Sequence, residues 1–452
     1  MNRNNNKIAM LLLCSVMVCG SWAQTKVYTP EQCRTLALEH NAKMKKADNN
    51  IMGAEQTRKE AFTKYFPTVS ATGGYFNANH DILKSEIKPG EFISPDAAAA
   101  LPPEIAAIIP QSIPLSLLKD GTVAGVTAIQ PVFAGGQIVN NNKLAAIAVE
   151  VNRLQKQQTA NEVTLTAEKY YRQLVNLKEK MVTVKTMESM LDKLCKDVSK
   201  SVEVGVTTRN ELLQVQLKQN DVAVTKIKLD NGIRLSKMLL AQYMGVSYTD
   251  SFDVSSPDIA DSLPVSPDEL HSDHQSSLAL TPEYQLLQRN VKAKSLATKL
   301  EVGKNLPSLA VGAGFMYYNM LDTHRSFGTV FATLSVPISS WWGGSHAIKR
   351  KKLEQRNAEL DMADNGEMLV INMQKVWNEL DDAYKQVGIA RKSIEQSEEN
   401  LRLNNDYYKA GTTTMTDLLN AQSMFQQSHD KYVDAYSQYE IKKLEYMQVT
   451  GR

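Results

Sequence analysis

The sequence predicts an α+β membrane protein with an internal two-fold repeat, its strands belonging to a membrane β-barrel and its long helices to a tube. Three observations carry this expectation. GVTTRNELLQVQ at residues 205–216 returns as GTTTMTDLLNAQ at 411–422, identical at six of twelve positions and offset by 206 residues. Four short stretches alternate apolar with small or polar residues at the period of a strand. The helical stretches, finally, have lengths that suit a wall of uniform height better than a globule.

The chain opens MNRNNNKIAMLLLCSVMVCGSWAQ, the form of a cleaved secretory signal. Arg3 and Lys7 precede an apolar run, Ile8 to Val18, that is too short for a membrane helix, and Ser21-Trp22-Ala23 supplies a small-x-small cleavage site. Residues 1–23 are therefore expected to be removed, leaving Gln24 first. Lipidation is disfavoured, because Leu13 and Val18 rather than a small residue precede Cys14 and Cys19. Cleavage removes two cations from 51, leaving 49 against 49 acidic residues. A neutral mature chain lacks the basic excess that nucleic-acid binding needs.

Each half then reads helix, strand, strand, long helix, turn, helix. The first repeat is placed at 24–245, a Pro/Ser/Asp-rich equatorial linker at 246–276 and the second repeat at 277–452. Pro131 pairs with Pro337 and Gly245 with Gly451 at the offset of 206; Pro67 pairs with Pro307 at 240. The offset changes because 42 residues, 79–120, join the first strand pair, and far fewer join the second.

Strands are expected at about 67–78, 122–134, 306–319 and 326–338. Val69, Ala71, Gly73 and Tyr75 share one face, and Leu309, Val311, Ala313 and Phe315 are their counterparts; Thr68, Ser70 and Thr72 point the other way. Val330, Ala332 and Leu334 alternate with Phe331, Thr333 and Ser335. Such runs suit a transmembrane barrel, and equally a half-buried soluble sheet. The segment 79–120 carries six prolines and the run AAAALPPEIAAIIPQSIPL, and is expected to be an extracellular loop folded over the mouth or against its copies in the neighbouring subunits.

The long helix carries a heptad seam: Val163, Tyr170, Leu177, Val184, Leu191 and Val198, beside Ala167, Leu174, Met181 and Cys195, with Glu188 interrupting. Met373, Leu380, Val387, Ile394, Leu401 and Tyr408 continue it in the second half. At 1.5 Å per residue the helix at 137–204 would reach roughly 100 Å. Its flanking helices, of about 33 and 39 residues, nearly sum to its length, and about 28 plus 38 do so again in the second half. That arithmetic favours a tube, and with it a barrel. Four strands cannot close one, and open edges in lipid are costly, so two or three copies must join.

The signal, the repeat and the phrase Gly-x-Thr-x-x-x-[Asp/Glu]-Leu-Leu at both helix returns resemble the TolC-like outer-membrane efflux protein family. The resemblance implies a homotrimer whose four strands per chain close a 12-stranded outer-membrane β-barrel, continuous with a 12-helix periplasmic α-barrel. It implies a passive exit duct, opened by a periplasmic adaptor protein and an inner-membrane transporter of the RND, ABC or MFS type. It places Gly205, Thr207, Glu211, Leu212, Gly411, Thr413 and Leu418 at helix tips that meet the adaptor. It places Asp417, Asn420 and Tyr408 at the channel aperture. One of the family's two aperture acids is Asn420 here, and the arginine of its latch is Thr413. An acid at Asp417 and at Glu211 also suits the positive end of a helix dipole.

Trp341 and Trp342, with Tyr75 and Phe315, are candidates for an aromatic girdle where outer-membrane lipid meets water. Lys349, Arg350, Lys351 and Lys352 follow and could meet head groups or solvent. His271 and His274 lack third and fourth ligands nearby, so no metal is expected. No paired acids, nucleophile constellation or phosphate loop points to an enzyme, and no cofactor is expected. Cys33 and Cys195 fall roughly 40 Å apart on the tube and are expected as free thiols. An exported coiled-coil scaffold and a stand-alone diffusion porin remain as alternatives.

Overall fold

The computed structural model describes residues 26–80, 82–94, 97, 102, 108, 110, 112–117, 120–249, 252–256, 264–320 and 323–452. The expected signal, 1–23, and Gln24 lie outside the described residues, as does much of 95–111. The described elements in order are β1 (Lys26–Tyr28), α1 (Pro30–His40), α2 (Ala42–Thr63), β2 (Thr68–Asn77), β3 (Leu83–Ile87), β4 (Ile113–Leu117), β5 (Asp120–Ala134), α3 (Gln137–Glu203) and α4 (Arg209–Tyr243). They continue as β6 (Phe252–Val254), α5 (His274–Ser277), α6 (Pro282–Lys304), β7 (Ser308–Met320), β8 (Thr323–Ser335), α7 (Ser340–Lys409) and α8 (Met415–Val449). The chain forms two compact units.

One unit comprises residues up to Gly53, Glu150–Asn290 and Glu359–Arg452, and is mainly helical. Its core is the heptad seam: Val163, Ala167, Leu174, Val184, Leu191 and Val198 are buried on α3, and Met373, Leu380 and Val387 on α7. Tyr170 and Leu177, from the same row, stay half-buried. Glu188, the interruption, is ion-paired to Lys226 of α4 at 2.7 Å. A charged knot lies deeper. Arg172 donates to Glu168 at 2.7 Å and to Glu440 at 3.3 Å, with Arg34 on Glu168. Pairing of this kind is what makes nearly full burial of Glu168 and Arg172 tolerable.

β1 and β6 pair in parallel in this unit, bringing Tyr28, Phe252 and Val254 onto Tyr171, Leu240, Tyr439 and Tyr446. His274 Nε2 lies 3.1 Å from the Tyr446 hydroxyl, and His271 stacks edge-on to Trp377. Both histidines are thus parts of an aromatic cluster. Cys33 and Cys195 are free thiols. Burial, with the negative charge of Glu168 nearby, pushes the Cys33 thiol up to about 12. Cys195 packs beside Leu191 and Val198 in the seam.

The other unit, Ala54–Val149 and Val291–Ala358, contains a four-stranded antiparallel sheet in the order β2-β5-β7-β8. Register places Val69, Ala128, Ala313 and Val330 in one row, and Ala71, Val126, Phe315 and Gly328 in the next. Val69 is 65% exposed, Phe315 59% and Val330 88%, so this face is apolar and uncovered within the chain. The opposite face holds the row Ser70, Thr127, Gly314 and Thr329. β2 and β8 are edges, each with one side of its backbone unmatched in the sheet.

Three sequence expectations are corrected. The segment 79–120 is not loop throughout, because β3 and β4 pair within it, Leu83 opposite Leu117. The last strand, expected at 326–338, ends at Ser335 instead, and Trp341 and Trp342 sit in the first turn of α7. The length arithmetic holds in one half only. α1 and α2 have 11 and 22 residues and α4 has 35, against 67 in α3, whereas α6 and α8 have 23 and 35 against 70 in α7. α6 starts late because Thr281 is extended and Pro282 opens the helix, while α7 absorbs the residues after the strand.

Candidate functional site

Two places follow from the residues upward: the helix returns, and the exposed sheet face. Both long helices end in the same way. Gly205 has φ +74° and Gly411 +72°, a left-handed conformation that glycine adopts without steric cost. Val206 N donates to Ser201 O at 2.8 Å and Gly205 N to Val202 O at 3.1 Å. Thr412 N to Tyr407 O and Gly411 N to Tyr408 O, at 2.9 and 3.0 Å, repeat that pair of bonds. Gly245 and Gly451, at +68° and +75°, end α4 and α8 with the same bonds. Extended threonines then cap the next helices: Thr208 accepts from Glu211 N, and Thr414 from Asp417 N.

The acids diverge beyond the cap. Asp417 Oδ2 accepts from Thr414 Oγ1 at 2.6 Å, Thr413 Oγ1 at 3.2 Å and Thr414 N at 3.3 Å. Those bonds, Thr414's hydroxyl first, hold its carboxyl below the usual carboxylate range. It is exposed, ionised and tied to its own turn. Glu211 Oε2 accepts from Thr207 Oγ1 at 2.7 Å and from the Tyr408 hydroxyl at 2.8 Å. Burial, then the bond to Glu211, push the Tyr408 phenol up to about 12. The expected aperture trio is therefore not one cluster. Tyr408 is joined to Glu211, which sequence reasoning placed only at the adaptor-facing tip. The available signal was Tyr408 in an apolar seam, where a half-buried hydroxyl needs a partner.

Leu418 and Met415 are buried, Leu212 is half-buried, and Asn420 is exposed. A cleft of about 840 Å³ opens between the two returns, lined by Lys193, Glu398, Arg402, Tyr408, Leu418 and Phe425. Arg402 bridges Glu399 and Asp406 at 2.8 and 3.0 Å. In the sheet unit, Tyr75 and Phe315 stand on the exposed apolar face, two rows apart. Trp342 is 79% exposed, and Trp341 Nε1 donates to Asn305 O at 2.9 Å. The described helices include none long and apolar enough to cross a membrane.

Residues 275–452 match the family described as outer membrane efflux protein. Over that stretch the chain is similar to the outer membrane efflux protein family. That family is one of channels, not enzymes. The matched residues contain the second return, with Gly411 and Asp417. No curated protein matches the chain. Among solved structures, the fold is similar to the outer membrane protein VceC of Vibrio cholerae, at TM-score 0.71 and 13% identity over 93% of this chain and 96% of that one. It is similar also to the open state of the Neisseria gonorrhoeae MtrE outer membrane channel, at 0.71 and 12%, over 93% and 88%. The Campylobacter jejuni CmeC outer membrane channel gives 0.70 and 12%, over 93% and 85%.

Proposed function

We propose that the chain is the outer-membrane exit duct of a tripartite efflux or secretion system. It acts as a homotrimer: three copies of the β2-β5-β7-β8 sheet close a 12-stranded barrel, and three copies of the helical unit form the periplasmic tunnel. The carrying observation is the sheet itself, open at both edges and apolar on one face across all four strands. Exposed edges and an uncovered apolar face are tolerable in lipid only when copies satisfy the edges and acyl chains cover the face. The N-terminal signal supports export, and the family match supports efflux.

The transport step is passive. The glycine returns carry the tips, Gly205 through Leu212 and Gly411 through Leu418, that a periplasmic adaptor would contact, with an RND, ABC or MFS transporter supplying energy. Asp417, ionised and exposed, presents one carboxylate per chain to the mouth, and Asn420 adds a neutral amide. A ring of carboxylates attracts cations. The Tyr408–Glu211 bond joins the two returns and resists their separation. The direct test is the particle: a trimer with an axial hole in detergent, and retention of efflux substrates by cells lacking the protein. A monomeric particle without a hole would refute the duct. A trimer whose deletion leaves substrate export intact would favour a plain porin.

A further inference from the structure

The helix ends flanking the strands carry a charge that the chain as a whole does not. Residues 54–66 hold three cations and two anions, 137–149 one and none, 291–304 four and one, and 336–358 five and one: thirteen Lys and Arg against four Glu. The full chain holds 51 against 49. Glu301 pairs with Lys304 at 2.9 Å, and Glu354 with Lys351 at 2.8 Å, with Lys294 and Arg350 beside it. The hydrogen bond from Lys351 holds Glu354 below the usual carboxylate range. Arg58, Lys59, Lys64, Lys143, Lys349 and Arg350 are exposed.

Within this collar, α2 and α3 enclose a groove of about 590 Å³. Arg58, Lys59 and Lys143 line it with a single acid, Glu55, and Phe62 and Val139 give it an apolar wall. Phe62 and Val139 are 54% and 44% exposed, so that wall is uncovered within the chain. Asn142 Nδ2 donates to Ala61 O at 2.9 Å, pinning α3 to α2 beside it. Tyr65, three residues before β2 begins, also lines it.

We propose that this groove binds an anionic phospholipid, its phosphate among Arg58, Lys59 and Lys143 and its first methylenes against Phe62 and Val139. The inference rests on the outer-membrane reading above. Charge complementarity selects an anion, because three cations face one carboxylate. The apolar wall selects an amphiphile over a free phosphate, because only the former gains by covering it.

The test is native mass spectrometry of the full-length protein in detergent with added phosphatidylglycerol or phosphatidylcholine of identical chains. The wild type should retain phosphatidylglycerol about tenfold better, a preference that falls as salt rises. The Arg58→Gln/Lys59→Gln/Lys143→Gln variant should bring that preference within about twofold. Lys349→Gln/Arg350→Gln/Lys352→Gln removes the same charge from the same unit and should leave it intact. Equal retention of both lipids by the wild type would overturn the groove. So would equal losses in both triple variants, which would mean diffuse attraction, or displacement by inorganic phosphate. Loss of the trimer in the groove variant would make this a subunit contact and also overturn it. The same spectra count subunits: a trimer without lipid preference sinks the groove alone, whereas a monomer sinks the duct reading.

Discussion

The two helix returns share a backbone and differ in what they hold. Each has a left-handed glycine, the same pair of closing bonds and a threonine cap. At the first helical position, however, one has exposed Arg209 and the other buried Met415, which packs with Val198, Val215 and Val222. Leu418 and Gln422 are buried, while their counterparts Leu212 and Gln216 are half-buried and exposed. The acids diverge likewise, Glu211 reaching Tyr408 of the other half and Asp417 staying within its turn. The difference teaches that a repeated phrase fixes the turn, and that its neighbours decide which copy is anchored. Glutamate's extra methylene is what allows Glu211 to hold Thr207 of its own turn and still reach Tyr408.

The largest contrast is expected in packing. Leu418→Ala should cost about 3 kcal/mol in thermal or denaturant unfolding and Leu212→Ala about 1 kcal/mol, in line with their burial. Equal losses would show that the returns are anchored alike. Next comes the cross-link. Tyr408→Phe and Glu211→Gln should each cost about 1–2 kcal/mol, the scale of a hydrogen bond to a charged group at partial exposure. A double-mutant cycle should find them coupled, and channel conductance should rise in both. Additive losses would remove the link between the returns.

Glycine should treat both returns alike. Gly205→Ala and Gly411→Ala meet open space, so only the left-handed backbone resists, at about 1–2 kcal/mol each. Unequal costs would mean that one turn is not held open in the same way. The pH responses are smaller and opposite in sign. Tyr408's folded pKa is raised to about 12, so its contribution is complete below about pH 10 and is lost as pH rises through the folded value. Tyr408→Phe should therefore delete one late phenolate in an ultraviolet titration. Asp417's folded pKa is lowered, so its contribution is complete above about pH 4 and fades as pH falls through the lower value. Cation preference of the pore should persist down to about pH 4 and weaken in Asp417→Asn. A preference lost near pH 6 would assign the mouth to another group.

Much of this was legible in the residues. Gly205 and Gly411 announce their turns because few other residues take that conformation cheaply, and the threonines announce caps through their position before an acid three residues on. Val69, Ala71 and Tyr75 announce a strand face because side chains alternate. The seam at Val163, Val184 and Leu191 follows from the heptad. The Arg172–Glu168–Glu440 knot was not legible, since Glu440 lies 268 residues from Arg172 and charged residues usually read as surface. Nor was the β3–β4 pair, which the prolines of that segment concealed.

The sequence by itself determined the local grammar: where helices start and stop, which strand face is apolar, and where the turns lie, because those depend on dihedral preference and periodicity within a few residues. Tertiary structure alone decided that Glu211 meets Tyr408, that Met415 is buried where Arg209 is exposed, and that Val69, Ala128, Ala313 and Val330 form one row. Those outcomes depend on which segments pack side by side, a pairing set by burial and register over hundreds of residues rather than by any one stretch.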